Sequence, residues 1–280
     1  QFIFFKIGKN LFKFIILLSI FYMFIFLCAE ITAVAMLINY ISSVPLWITA
    51  ALIIVTTLIY TLYGGLRASI LTDNFQFLII IILLLICMYN IFDSSFISYK
   101  NVIKNSGDLL SSKYIPNYTS GLTFFIAVAA TNLFHQGNWQ RVFAAKNNDV
   151  LNKSLKLSFF IIIPIVFFMG ITGIIAVSNQ KEVIPDLAFF SIVLDEKSEL
   201  LSITIIILAI SLTVSTIDTL VNAISSLIMV DGKKINKNLK SPNNIVVLLA
   251  IISFFVASKG FSILYLFLLA DLFCCAAVFP

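Results

Sequence analysis

Charge is what this sequence has least of. Only 11% of its 280 residues are Asp, Glu, Lys or Arg, against about 25% in a soluble globular domain. It holds one histidine, two tryptophans and four cysteines. So little polar surface cannot wrap a water-soluble core. With 61% hydrophobic residues, 28 phenylalanines and a mean hydropathy of +1.08, the solvent has to be lipid. Cys28, Cys87, Cys274 and Cys275 lie in apolar runs without metal-ligand spacing and read as small packing residues. The first apolar run is far too long for a cleavable signal peptide and lacks a cleavage pattern. A net charge of +5 would suggest a nucleic-acid partner in a soluble protein. Here the cations gather in loops on one membrane side, and no nucleic acid is expected. The chain opens on Gln1 and stops in an apolar run at Pro280, so both ends are expected to be cut from a longer protein.

Eight runs are long enough to predict spanning helices, which need roughly 20 mostly apolar residues. They cover 11–41, 46–63, 69–92, 119–134, 155–177, 200–229, 244–257 and 261 to the end. The fourth and seventh are short for straight spans and are expected to adjoin loops buried in protein. Alternate loops carry Lys6, Lys9, Lys13, Arg67, Arg141, Lys146, Lys153, Lys156, Lys233, Lys234, Lys237 and Lys240, twelve cations. The opposite loops carry the other six, Lys100, Lys104, Lys113, Lys181, Lys197 and Lys259, with Asp93, Asp108, Glu182, Asp186, Asp195, Glu196 and Glu199. That asymmetry places the N-terminus in the cytoplasm and runs the 200–229 segment from outside to inside. The triplet Asn117-Tyr-Thr119 fits a glycosylation acceptor, a pattern common by chance.

The 200–229 segment carries Ser211, Ser215, Asp218, Asn222 and Ser225 at spacings of four, three, four and three, flanked by Thr216 and Thr219. At 3.6 residues per turn these form one polar stripe on an apolar helix. Interhelical hydrogen bonding would account for serines and threonines alone. An ionisable Asp inside a span costs at least ~2.5 kcal/mol at the bilayer centre and must face a cavity or a partner. Hydroxyls, carbonyls and one carboxylate are hard oxygen ligands, suited to an alkali cation and poor for a transition metal. The stripe therefore predicts a cation path.

Three blocks then point to a family. Tyr60-Thr-Leu-Tyr-Gly-Gly-Leu-Arg-Ala-Ser-Ile-Leu-Thr-Asp-Asn-Phe-Gln76 resembles the Y-T-x-x-G-G-L-x-A-x-x-x-T-D-x-x-Q signature of the sodium:solute symporter family. Phe134-His-Gln-Gly-Asn-Trp-Gln-Arg-Val-Phe-Ala-Ala-Lys146 is similar to its D-Q-x-x-x-Q-R-x-x-A-A-K block, and Ser215-Thr-Ile-Asp-Thr219 to its S-T-x-D-S block. The family includes sodium-coupled sugar, proline, pantothenate, iodide and monocarboxylate carriers. The resemblance implies an all-α integral membrane bundle of the inverted-repeat, leucine-transporter type, about eight of whose helices are present. The whole of 1–280 would be a single transporter domain, its first three segments matching core helices three to five and the rest six to ten. The lead helix and the first two core helices would then be missing.

The resemblance further implies secondary active, sodium-coupled symport of a small solute by alternating access, in a multi-pass protein of the plasma or inner cell membrane. Ser215, Thr216 and the carbonyl of Leu212 match the main sodium site, although the family usually has a small residue at the last position. Asp73, Asp218 and Thr219 match positions of a second cation site in some members. Thr131 and Asn132 lie on the helix that lines the substrate cavity in relatives, with His135 beside them. Sodium is the one metal implied.

Other roles stay open. Asp73 could cap the helix it begins or pair with a charge as readily as handle an ion. The titration range of His135 suits proton coupling, and hydrogen bonding at the end of its helix is the simpler role. Glu30 and Asp271 are intramembrane carboxylates that could bind a cationic or hydroxylated substrate, pair with each other, or hold the bundle together. Gly64-Gly65 predicts a tight turn, and Pro164 with Gly170 and Gly173 a kink or close helix approach. Alternatives to symport are a sensor domain of a signalling protein and a proton-driven or uncoupled carrier of the same fold. No Ser/Lys or His/Glu pair within the spans suggests an enzyme.

Overall fold

A computed structural model describes Lys6 and residues 8–93, 99–178, 184–194, 198–235 and 242–278. Lys181, Glu182, Asp195, Glu196, Lys197, Lys237 and Lys240, used above for orientation, lie outside the described residues. The described residues are helical with short connections, and contain no strand. The long helices are α1 (Lys9–Ser42), α2 (Leu46–Asp93), α4 (Ile115–Asn132), α6 (Asn148–Ser178), α8 (Glu199–Leu227), α9 (Pro242–Ala257) and α10 (Ile263–Val278). Three shorter ones intervene: α3 (Tyr99–Asn105), α5 (Gln136–Ala144) and α7 (Ala188–Val193). Lys9–Ser42, Ser69–Phe92, Asn148–Ser178 and Glu199–Ile235 are long and apolar enough to cross a membrane, and Leu46–Ile59, Asn244–Ala257 and Ile263–Val278 are shorter apolar helices. The chain is an all-α, multi-span membrane protein.

Helix ends follow local chemistry. α1 stops where Ser43 turns left-handed at φ 57 and donates its N–H to the Asn39 carbonyl, with Pro45 close behind. Asn147 Oδ1 accepts the Val150 N–H at 2.8 Å, capping α6. Ser262 does the same for α10 through Tyr265 N–H at 3.4 Å.

Two expectations give way. The turn predicted at Gly64-Gly65 is absent: α2 runs unbroken over 48 residues. Glycine costs a helix interior only about 1 kcal/mol and removes no hydrogen bond, so a Gly pair permits a turn without enforcing one. Conversely, the loop after 134 contains α5. Its nine residues are too short and too polar to register among apolar runs.

The chain forms two compact units. In the first (1–77, 124–140 and 209–280), α1 packs along α9 and α10. Met23, Cys28, Ala29, Ile31, Thr32 and Ala35 of α1 are fully buried, which suits a helix apolar on every side. α5 approaches α8 closely. A Cβ on Gly137 would lie 2.7 Å from Thr219 Cγ2 and 3.0 Å from the His135 ring. Gly260, between α9 and α10, has φ +65, and a Cβ there would lie 2.9 Å from Leu46 Cδ1.

In the second unit (78–123 and 141–208), α6 packs against α7 and α3. The Asn105 amide donates to the Ser178 carbonyl at 3.1 Å, and Phe168 meets Phe92 and Phe189 at ring-centroid distances of 6.3 and 6.2 Å. Phe159, Phe160 and Phe167 of α6 are exposed, as suits a lipid-facing helix. The Asn117 amide is engaged on the carbonyls of Asp108 and Leu109 at 3.0 and 3.2 Å, where it holds the preceding 3₁₀ turn.

Gly137→Ala and Gly260→Ala should each destabilise the protein, the first by overpacking at about 1–3 kcal/mol and the second by left-handed strain at about 1–2 kcal/mol. Thermal unfolding in detergent reads both. An unchanged midpoint for Gly137→Ala would refute the close approach of α5 to α8.

Candidate functional site

The polar stripe of α8 meets α2 within the first unit. Asp218 is fully buried. Its Oδ1 accepts the Ser69 hydroxyl at 2.9 Å, its Oδ2 lies 3.5 Å from the Thr72 hydroxyl, and Thr219 Oγ1 approaches Oδ1 at 3.3 Å. One turn earlier on α8, Ser215 Oγ donates to Asp73 Oδ1 at 2.6 Å. Such a short hydroxyl–carboxylate bond is charge-assisted. Position 69 pairs with 218 and 73 with 215, so the two helices run antiparallel along this seam.

Backbone oxygens join the cluster. Thr216 Oγ1 donates to the Leu212 carbonyl at 3.1 Å, and Thr219 Oγ1 to the Ser215 carbonyl at 2.9 Å. Of the residues matched to cation sites, Asp73, Ser215, Asp218 and Thr219 lie on one seam, linked through Asp73–Ser215 and Ser215–Thr219, while Leu212 and Thr216 meet each other along α8. Its donors are carboxylates, hydroxyls and carbonyls. That chemistry suits a hard monovalent cation. Farther along α8, Asn222 Nδ2 is buried without a hydrogen-bond partner among the described residues, as are Gln76 Oε1 on α2 and Gln140 Oε1 on α5. Gln140 Nε2 donates to Ser226 Oγ, tying α5 to α8.

The substrate candidates cluster elsewhere in the same unit. α4 ends at Asn132, and three non-helical residues separate it from α5. Thr131 is buried and returns its hydroxyl to the Ala127 carbonyl at 2.9 Å. It also interacts with the Tyr22 hydroxyl and the Asp271 carboxyl. Asn132 is exposed. Its Nδ2 donates to the Val128 carbonyl and its Oδ1 accepts the Asn138 amide, both at 2.8 Å, so it braces the break between α4 and α5. His135 is buried, and its Nδ1 accepts the Asn138 backbone N–H at 3.3 Å, which makes it the cap of α5. Its ring meets the edges of Tyr22 and Phe26, both at 6.0 Å.

Sequence reasoning missed Ser69 and Thr72 as partners of Asp218, and Tyr22 as the neighbour of Thr131. Ser69 stands four residues before Asp73, on its face of α2, and that spacing was the available signal; Thr72, adjacent to Asp73, is turned about 100° from it and carried none. Tyr22 carried no local signal, because its neighbours come from the far end of the chain.

The sodium:solute symporter family matches residues 5–269. The spermidine transporter DUR31 of Candida albicans is 29% identical over 264 residues, covering 92% of this chain and 50% of that protein. The chain therefore spans about half the length of the curated relative it matches. No solved structure matches it. With the family matched along nearly the whole chain, and its motif residues gathered on the α2–α8 seam, the chain belongs to the sodium:solute symporter family.

Proposed function

We propose that the chain is part of a sodium-coupled symporter of the cell membrane that moves a small organic cation by alternating access. The observation that supports the coupling is the α2–α8 seam, where Ser215 meets Asp73 across helices and Thr216 meets the Leu212 carbonyl beside it on α8, oxygens that would serve one ion. A monovalent cation there takes the place of the Ser215 hydrogen bond on Asp73 and balances the carboxylate charge, with the Ser215 hydroxyl oxygen turned to the ion. It thereby ties α8 to α2. Asp218, with Thr219, forms a second cation position one turn farther along.

The amine substrate follows the printed function of the Candida relative. The fold proposed is the inverted-repeat architecture, with 1–280 as one transporter domain. Ion and substrate binding are then coupled, and the coupling is reciprocal: each raises the affinity for the other by the same factor.

In the full-length protein, Ser215→Ala and Thr216→Ala should each raise the sodium concentration for half-maximal uptake about tenfold, the loss of one good oxygen ligand at about 1.4 kcal/mol. Initial rates of radiolabelled spermidine uptake against sodium at constant ionic strength read this. Sodium dependence identical to wild type would sink the assignment. Asp218→Asn keeps the side-chain shape and removes the charge. It should lower the steepness of the sodium curve toward a Hill coefficient of about 1. If the steepness is unchanged and only thermal stability falls, Asp218 is a packing residue and no second ion binds there.

A further inference from the structure

Two carboxylates in the first unit belong neither to the α2–α8 seam nor to an ion pair among the described residues. Glu30, on α1, has no hydrogen-bond partner among them, and Asp271, on α10, interacts with Thr131, Tyr22, Cys274 and Cys275. Both stand inside apolar helices. A membrane-embedded acid without a cation is expensive enough to mark a place where one binds.

Their spacing is set by the packing of α1 on α10. Phe21 meets Phe273 at 5.2 Å and Phe26 meets Phe267 at 4.7 Å, so the two helices run antiparallel with residue numbers summing to about 293. Asp271 therefore lies level with Tyr22, in agreement with the electrostatic interaction between them. Tyr22, Phe26 and Glu30 follow at intervals of four along one face of α1, turning by about 40° each time. Glu30 sits seven to eight residues beyond the level of Asp271, an axial separation of about 11 Å at 1.5 Å per residue. Between the two acids lie the rings of Phe26 and Phe267, with the Tyr22 hydroxyl at the Asp271 end.

We infer that this strip is the binding site for a linear polyamine, with one terminal ammonium on Asp271, the other on Glu30, and the chain lying along Phe26 and Phe267. The inference rests on the amine reading above and deepens it. Aliphatic amines titrate near the lysine value of about 10.4 and are fully charged at neutral pH. A triamine with three- and four-carbon spacers joins its end nitrogens through nine bonds, about 11 Å when extended, whereas a four-carbon diamine reaches about 6 Å. Only the longer molecule can engage both acids at once. The ring faces add cation–π attraction for the central nitrogen, and its methylenes bury apolar surface against the phenylalanines.

The test compares two amines in the full-length protein at saturating sodium. Uptake of radiolabelled spermidine and of 1,4-diaminobutane is measured for wild type, Glu30→Gln and Asp271→Asn, normalised to surface expression. Glu30→Gln should raise the KM for spermidine about tenfold while changing that for diaminobutane less than about twofold, and Asp271→Asn should raise both. The charge-keeping Glu30→Asp and Asp271→Glu should retain uptake, and half-saturation by sodium, measured at saturating amine, should be unaltered in all four. If Asp271→Asn fails to reach the membrane, the length selectivity of Glu30→Gln alone decides. Equal effects of Glu30→Gln on both amines, or none, would overturn the site while leaving the amine reading intact. A wild-type protein that takes up neither amine would overturn both.

Discussion

A carboxylate in the middle of a lipid-facing bundle must be met by protons or cations from neighbouring helices, and that demand organises this protein around Asp218. Two hydroxyls of α2 reach it, Ser69 and Thr72, and a third comes from Thr219 beside it. A second tie, Ser215 to Asp73, lies one turn away. Together they fix the register of α2 against α8, because a slip of one residue turns either helix by about 100° and would pull every hydroxyl from its carboxylate. α5 approaches the same seam only because Gly137 leaves Thr219 its space.

Where the other hydroxyls go sets the seam apart. In lipid there is no water to satisfy a Ser or Thr, so most return the proton to a carbonyl one turn back. Thr32 does so to Cys28, Thr131 to Ala127 and Ser253 to Ala250. Those side chains cost little and specify little. Ser69 and Ser215 instead send theirs across to another helix and to a charge, while Thr72 returns its proton to the Ser69 carbonyl at 2.9 Å and lies 3.5 Å from Asp218. That difference separates this seam from ordinary helix packing.

Much of this was legible in the residue order, for physical reasons that differ by element. α1, α6 and α8 were visible because lipid tolerates only long uninterrupted apolar runs. The polar side of the α2–α8 seam was visible as a stripe because the helical period converts a spacing of three and four into a face. α5 was hidden because a nine-residue helix buries no run long enough to read. The continuity of α2 through Gly64-Gly65 was hidden because glycine is compatible with a helix and with a turn alike.

The sequence by itself determined that the chain lives in lipid and that α8 carries one polar stripe on an apolar helix. These follow from transfer free energy and helical geometry, which act along the chain. Only the tertiary structure decided which hydroxyls hold Asp218, that Ser215 gives its proton to Asp73, that His135 caps α5, and that Asp271 stands level with Tyr22. Each of these depends on the register between helices far apart in sequence. That register is set by contacts such as Phe26 on Phe267 and Gly137 on Thr219, side-chain shapes that meet only after the helices have packed.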